Sequence, residues 1–169
     1  MTGRGSNTIP ERIFAALPYI LPLLEVYGFG IFLFALFPTL QAIYLPLTPF
    51  LLLYGAIAKV IPYPSLVIFF ALFFLVVQNE RIKHFIRFHT MQALLVSIFI
   101  SILSAILEVL GFVQRGVNTQ LPGSWFWGIL SSAVFLATFA VAIYSIIQAF
   151  RGLYAEIPMI SEAAYSQTR

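Results

Sequence analysis

The sequence contains no cysteine, and only 9% of its 169 residues are charged. The absence of cysteine excludes disulfide bonds, iron–sulfur clusters, thiolate nucleophiles and zinc sites built on cysteine. A soluble domain carries about a quarter of its residues as Asp, Glu, Lys and Arg to hydrate its surface. The scarcity of charge therefore excludes a soluble globular protein.

Apolar residues take the place of the missing charge. They make up 61% of the chain, the mean hydropathy is +0.98, and runs such as SLVIFFALFFLVV carry no charge at all. A backbone in lipid must satisfy its own hydrogen bonds, and these runs lack the alternation of a barrel strand. The composition therefore predicts an all-α integral membrane protein with one domain.

Sequence motifs of catalysis are also missing. The chain has no Gly-x-Ser-x-Gly elbow, no His-Glu-x-x-His and no phosphate-binding glycine loop. His84 and His89 are five residues apart, so on a helix they point to divergent faces and do not form a metal site. We expect no catalytic residue, metal or cofactor, and no nucleic acid as a partner.

Proline, glycine and polar residues divide the apolar sequence into segments. A segment at 40–58 contains Gln41, Pro46 and Pro49, and we expect it to be interfacial or re-entrant. The prediction is a four-transmembrane-helix bundle within residues 13–151, flanked by cytoplasmic tails at 1–12 and 152–169. The predicted spans are residues 13–37, 62–78, 85–113 and 125–150.

The positions of basic residues support this topology, because short cytoplasmic loops carry an excess of Lys and Arg. If segment 40–58 does not cross the membrane, the two tails and the QNERIKHFIR loop lie on the same side of it. That side then holds Arg4, Arg12, Arg81, Lys83, Arg87, Arg151 and Arg169, against Lys59 and Arg115 on the other. If segment 40–58 crosses, the two sides are nearly balanced. We therefore predict that both termini are cytoplasmic, or stromal in a plastid.

The third and fourth predicted spans each carry a stripe of small and weakly polar residues at three- and four-residue steps. The stripe on the third span is Thr90, Ala93, Ser97, Ser101, Ser104 and Glu108. The stripe on the fourth is Gly128, Ser131, Thr138, Ala142, Ser145, Ala149 and Gly152. Such stripes allow close helix packing, with the hydroxyls bonded locally or across the contact. Alternatively, they line a semi-polar groove for a polypeptide or a solute.

Two more polar residues interrupt apolar sequence. Glu25 lies near mid-bilayer if residues 13–37 form one tilted span, where a charge costs about 3 kcal/mol. If Pro18 and Pro22 end that span early, Glu25 lies at the far interface. Gln92 stands about one turn inside the third span, so its amide needs partners, and we predict that it clamps this helix to a neighbour.

Residues 61–95 resemble the signature region of the Tic-twenty family, the twenty-kilodalton translocon subunit of the inner chloroplast envelope. An arginine–phenylalanine pair precedes a Met-Gln-Ala triplet in that region. The matching residues here are Arg87, Phe88, Met91, Gln92 and Ala93. The stretch ALPYILPLLE is similar to the first span of the family, and IPMISEAAYSQ resembles its closing segment.

The resemblance implies a four-helix membrane subunit that takes part in moving preproteins across or into a membrane. Its partners are then membrane lipids, other membrane-protein subunits and preprotein passengers. The first twelve residues are too few for an organellar transit peptide and show no cleavage pattern, so we expect a cyanobacterial or plastid-encoded member. The expected location is the cyanobacterial plasma or thylakoid membrane, or the plastid inner envelope.

Two other functions are compatible with the residues. A small-solute carrier could use the backbone that proline and glycine expose in residues 17–30 and 45–55. Four spans without an internal repeat leave one chain little room for alternating access, which disfavours this reading. A non-catalytic assembly factor for a larger membrane complex is the third alternative.

Overall fold

The computed structural model describes residues 7–61, 63–109, 124–158 and 160–168. Every regular element within these ranges is helical, as the composition predicts. We number the helical segments α1 (Ile9–Leu36), α2 (Pro38–Ala58), α3 (Pro64–Val77), α4 (His84–Val109), α5 (Ser124–Arg151) and α6 (Ile160–Thr168). By length and composition, α1, α2, α4 and α5 are able to cross a membrane. The chain is an all-α integral membrane protein.

Helix α1 is a chain of short α-helical and 3₁₀ pieces. It begins with a capping box in which the Thr8 backbone N–H donates to the Glu11 carboxylate at 2.9 Å. Tight 3₁₀ turns at Leu17–Tyr19 and Tyr27–Gly30 separate its α-helical parts. Pro18 and Pro22 lack an N–H and so weaken the regular ladder, but the helix continues to Leu36.

Helices α2 and α3 differ in length. The first part of α2, Pro38–Leu47, is a ten-residue 3₁₀ helix, and Thr48–Ala58 is α-helical. Helix α3 ends in a π-helical turn at Phe73–Val77 and is about 21 Å long, against the roughly 30 Å of a hydrocarbon core. Length alone therefore favours α2 as the crossing helix, the reverse of the predicted spans. Which of the two crosses stays a prediction.

Parts of the predicted boundaries lie outside the described residues. These parts are residues 1–6 of the amino-terminal tail, Pro62 at the start of one predicted span, and residues 110–113 at the end of another.

Helix α1 occupies the centre of the bundle and packs against both α4 and α5, while α4 and α5 touch each other little. Its contact with α5 is close at Gly128, where an added Cβ would overlap the Phe32 ring. A core cluster that includes Val26, Phe34, Ile100 and Phe135 joins the three helices. The two small-residue stripes therefore do not form one continuous contact between α4 and α5.

The carboxy-terminal segment folds back onto the bundle. Gly152 turns the chain with a φ of +75°, a conformation that favours glycine. Residues 153–157 then run without helical or strand structure, and α6 packs along α4 until Thr168 Oγ1 lies 3.3 Å from His84 Nε2. We call residues 152–168 the carboxy-terminal hairpin. The described residues of the predicted cytoplasmic tail at 152–169 are thus packed onto the bundle, and its cytoplasmic location stays a prediction.

The two ends of the described chain lie at the same end of the bundle. Asn7 Nδ2 donates to the Gly152 carbonyl at 3.2 Å, and Thr168 lies beside His84 at the start of α4. Cysteine introduced at Ile9 and at Ser166 should therefore react with an impermeant thiol reagent from one side only. Cysteine at Thr39, beyond the far end of α1, should react from the other side. Labelling of Ile9 and Ser166 from opposite sides would mean an odd number of spans.

The same assay distinguishes α2 from α3 as the crossing helix. If α3 crosses, as in the predicted spans, cysteine at Lys59 should be labelled together with the Thr39 position. If α2 crosses, it should be labelled together with Ile9 and Ser166. Lys59 is exposed in the structure, so its replacement should not disturb packing.

The contact at Gly128 predicts a large effect from one methyl group. Gly128→Ala should destabilise the protein by about 1–3 kcal/mol, because the Phe32 ring is buried and must move. Thermal unfolding in detergent measures the loss, and Phe32→Leu in the same chain should restore part of it. Gly55→Ala is the matched control, since a Cβ there meets no atom within 4 Å. Equal melting temperatures for both alanine variants would contradict the packing.

Candidate functional site

A cluster of buried polar side chains lies between α1 and α4. It consists of Tyr19 on α1 and His89 and Gln92 on α4, and all three are fully buried. The Tyr19 hydroxyl is 3.1 Å from His89 Nδ1 and 3.2 Å from Gln92 Oε1. His89 and Gln92 are three residues apart, so one helical face presents both to the same tyrosine.

The other side of this cluster binds the backbone of the carboxy-terminal hairpin. His89 Nε2 donates to the Leu153 carbonyl at 3.1 Å, and Gln92 Nε2 donates to the Ala155 carbonyl at 3.0 Å. Residues 153 and 155 both belong to the non-helical stretch 153–157. Two side chains of one helix therefore hold a non-helical stretch of polypeptide through its backbone.

The carbonyl partners fix the donors and acceptors of the cluster. A carbonyl only accepts, so the proton of His89 is on Nε2 and the amide nitrogen of Gln92 faces Ala155. When His89 is neutral, its Nδ1 and the Gln92 Oε1 are both acceptors, and the one Tyr19 hydroxyl proton serves both. Removal of that hydroxyl therefore leaves two buried acceptors without a donor.

Aromatic rings surround the points where the hairpin meets α4. The ring of Phe88 lies 5.0 Å from that of Tyr154 and 4.4 Å from that of Tyr165, between ring centroids. Phe85 packs edge-on to both His89 and Tyr154. These contacts pack the hairpin against α4 through apolar surface, while the polar side chains hold its carbonyls.

The residues of the sequence motif are all positioned at this end of α4. Phe88 and Ala93 are fully buried and Met91 nearly so, whereas Arg87 donates through Nε to the Val77 carbonyl at 2.7 Å, at the end of α3. Gln92 was predicted to clamp α4 to a neighbouring helix. The structure brings it to Tyr19 of α1, and in addition to the hairpin.

Sequence reasoning missed Tyr19, the role of His89 and the carbonyls at 153 and 155. The spacing of His89 and Gln92 was a usable signal, because it puts two hydrogen-bonding groups on one face of an apolar helix. Nothing in the sequence pattern indicates that the carboxy-terminal segment returns to them.

The two stripes divide into buried and open parts. On α4, Thr90 and Ser97 are buried, whereas Ser104 is half-buried and Ser101 and Glu108 are exposed. On α5, Thr138 and Ser145 are buried, and the partly buried Ser131 hydroxyl donates to the Gly128 carbonyl in the preceding turn at 3.0 Å. The far half of the α4 stripe thus points out of the bundle, away from a contact with α5.

Several buried oxygens in the interior have no hydrogen-bond partner in the described residues. Both carboxylate oxygens of Glu25 and the hydroxyls of Thr90, Ser97 and Ser145 are in this state. Glu25 lies about 24 Å along α1 from Ile9, in a helix that runs on to Leu36, which favours the mid-span position of the two predicted. Within the described ranges, no three His, Asp or Glu side chains group in a way that could hold a metal ion.

These features define a polytopic helical membrane protein in which buried polar side chains of one helix hold a non-helical stretch of the same chain by its backbone. Residues 8–164 match the family model described as "Chloroplast import apparatus Tic20-like". That range includes the helices of the bundle, the polar cluster and part of the hairpin. The chain belongs to the Tic20 family.

Individual relatives support the assignment along nearly the whole chain. A Tic20 family protein of Synechocystis sp. is 41% identical over 161 residues, which cover 94% of this chain and 93% of the relative. Protein TIC 20-II, chloroplastic, of Arabidopsis thaliana is 30% identical, with coverages of 99% and 78%. The Tic20 family protein Ycf60 of Gracilaria tenuistipitata var. liui is 32% identical, with coverages of 95% and 76%.

The polar cluster predicts a measurable stability effect at Gln92. Gln92→Leu should lower the stability in detergent by about 0.6–2 kcal/mol, because it removes one acceptor of the Tyr19 hydroxyl and leaves the Ala155 carbonyl with the Ser161 hydroxyl as its remaining donor. Gln41→Leu is the control, since Gln41 is exposed and bonds only to Tyr27 among the described residues.

Tyr19→Phe tests whether the cluster acts as a unit. The Tyr19 hydroxyl contacts both His89 and Gln92, so the effects of Tyr19→Phe and Gln92→Leu should be non-additive in the double variant. Additive effects, or a Gln92→Leu protein as stable as the parent, would contradict the cluster.

Proposed function

We propose that this chain is a membrane subunit of a preprotein translocon-like complex, taking part in the translocation of proteins across a membrane or their insertion into it. Membership of a family described as a chloroplast import apparatus supports this function. The relatives that are named as chloroplastic proteins also support this function. The expected partners are other membrane-protein subunits and preprotein passengers.

One structural observation supports the proposed function in addition to the family assignment. The bundle holds a non-helical stretch of polypeptide, residues 153–157, by two of its backbone carbonyls. Backbone contacts do not depend on side-chain identity, and a protein that handles many passengers needs that kind of contact. The buried donors of α4 satisfy two carbonyls of this non-helical backbone, which lipid does not do.

The open half of the α4 stripe indicates where a passenger would contact the chain. Ser101 and Glu108 are exposed and Ser104 is half-buried, on a face that leaves the bundle. Polar groups that face out of a membrane bundle favour a partner subunit or a water-filled path over lipid. We therefore propose that the passenger path runs along this face and is shared with a partner, and is not enclosed by α4 and α5 alone.

The location and orientation follow as parts of the same proposal. Both chain ends are cytoplasmic, or stromal in a plastid, in accordance with the excess of basic residues at that end of the bundle. The membrane is the plasma or thylakoid membrane of a cyanobacterium, or the inner envelope of a plastid. The relatives in Synechocystis and in the chloroplast of Arabidopsis thaliana support a cyanobacterial or plastid location.

Photocrosslinking to an arrested passenger tests the function. A photoreactive residue at Ser101 or Ser104 should crosslink to a preprotein that is stalled in isolated membranes by a tightly folded carboxy-terminal domain. Phe99 and Ile102, which are exposed on other faces of α4, are the matched control positions and should not crosslink.

Each alternative function has its own outcome in this system. Solute uptake by the purified chain in vesicles, with no crosslink to a passenger, would favour a small-solute carrier. Crosslinks only to subunits of another membrane complex would favour an assembly factor. Either result would overturn the proposed translocon role.

Thiol chemistry tests whether the proposed path is wet. Cysteine at Ser101 or Ser104 should react with an impermeant thiol reagent when the protein is in its membrane, because a thiol ionises only in contact with water. Cysteine at Ser97 or Ser145 should stay unreactive, since these positions are closed inside the bundle. If the Ser101 and Ser104 positions are as inert as Phe99→Cys, the outward stripe faces lipid or a dry contact.

A further inference from the structure

The sequence contains six acidic side chains, all of them glutamates, and the bundle encloses the carboxyl group of one. Glu25 stands in the middle part of α1, and both of its carboxyl oxygens are closed to solvent. Neither oxygen has a hydrogen-bond partner among the described residues. An enclosed carboxyl group in this state is rare in a folded protein, and the polar cluster around Gln92 does not use it.

Two groups on neighbouring helices act on this carboxyl group. The Ser97 hydroxyl of α4 is buried and close to it, although the two do not have hydrogen-bond geometry. The Tyr54 phenol of α2 lies within electrostatic range of it. A hydroxyl and a phenol supply no positive charge. No Lys, Arg or His side chain in the described ranges forms an ion pair with Glu25, and the ion pair of Lys83 is with Glu11.

An ionised Glu25 would therefore be an uncompensated charge in the apolar part of the bundle. Such a charge is costly unless it is paired, hydrated or neutralised. The described residues supply no counter-ion, and hydration needs accessible surface that the two oxygens lack. A metal ion or a larger ligand meets the same obstacle. A proton needs no additional room, so protonation is the remedy that this geometry allows.

We propose that Glu25 is a proton-binding site, at which the carboxyl group holds a proton as long as the contact between α1 and α4 is closed. When that contact opens, water reaches the carboxyl group, its O–H bond breaks and the proton passes to water. Opening of the contact and release of the proton are therefore linked. The site is independent of the translocon role, because the charge would be as costly in a carrier or an assembly factor.

Infrared spectroscopy of the full chain in an ester-free detergent tests the site, because a protonated carboxyl group has a C=O stretch that a carboxylate lacks. The parent protein should show this band at about pH 6, where ordinary glutamates are ionised. Glu11 is paired with Lys83, so it should be ionised at this pH. The remaining glutamates are exposed and should be ionised too: Glu80, Glu108, Glu156 and Glu162.

Three variants assign the band. Glu25→Gln, which keeps the shape and cannot ionise, should abolish it. Glu108→Gln, at an exposed position of α4, is the matched control and should leave it unchanged. Ser97→Ala should keep the band and move it to a higher frequency, because the carboxyl group then loses the nearby hydroxyl. Isotope-labelled glutamate should shift the band of the parent, which assigns it to a glutamate even if Glu25→Gln fails to fold.

Thermal unfolding in the same detergent measures the link between opening and proton release. In the opened chain, an ordinary glutamate loses its proton above about pH 4.3. The closed protein keeps the proton there, so rising pH favours the opened state. The melting temperature of the parent should therefore fall relative to that of Glu25→Gln by about 3–5 °C per pH unit between about pH 5 and pH 7. Glu108→Gln should follow the parent.

Three results would overturn the proposal. A parent spectrum without the carboxyl band at about pH 6 would mean that Glu25 is ionised inside the bundle. A band that survives in Glu25→Gln would belong to another group. Melting temperatures of the parent and Glu25→Gln that change in parallel with pH would contradict the link between proton release and opening of the contact between α1 and α4.

Discussion

Every backbone carbonyl inside a membrane protein must find a donor, and this constraint organises the fold. Residues 153–157 are not helical, so their carbonyls have no partners of the kind that a helix supplies. His89 and Gln92 provide two of the missing donors from the buried face of α4. Without them, the Leu153 carbonyl would lose its side-chain donor and the Ala155 carbonyl would keep only the Ser161 hydroxyl, at a loss of about 0.6–2 kcal/mol for each missing bond. The position of the hairpin therefore depends on two side chains that stand one helical turn apart.

The rest of the bundle supports those two side chains. Helix α1 lies in the centre and brings the Tyr19 hydroxyl to the side of His89 and Gln92 that faces away from the hairpin. The 3₁₀ turn at Leu17–Tyr19, which Pro18 favours, sets the position of that tyrosine. A bundle built in this way binds non-helical backbone through buried side chains of α4. That property is what a protein in contact with unfolded passengers requires, and it links the proposed function to the geometry.

The sequence predicts the fold class well, because composition and run length follow directly from the hydrocarbon thickness. It also singles out Gln92, since an amide inside an apolar helix needs partners. It does not predict that residues 152–168 fold back onto the bundle. The sequence ISEAAYSQT is typical of a polar tail, and its burial depends on the facing surface of α4. Nor do the stripes on α4 and α5 reveal that α1 lies between their helices. Spacing places residues on a face, but only tertiary packing decides what that face meets.

Hydrogen exchange of the full chain in lipid nanodiscs tests the central claim most directly. Peptides from residues 153–168 should exchange slowly in the parent protein, because the hairpin is packed against α4 and held by His89 and Gln92. In Gln92→Leu the exchange of this segment should accelerate, while that of α5 should stay unchanged. Exchange of residues 153–168 in the parent at the rate of an unstructured peptide would contradict the account, because the hairpin would then be a free tail.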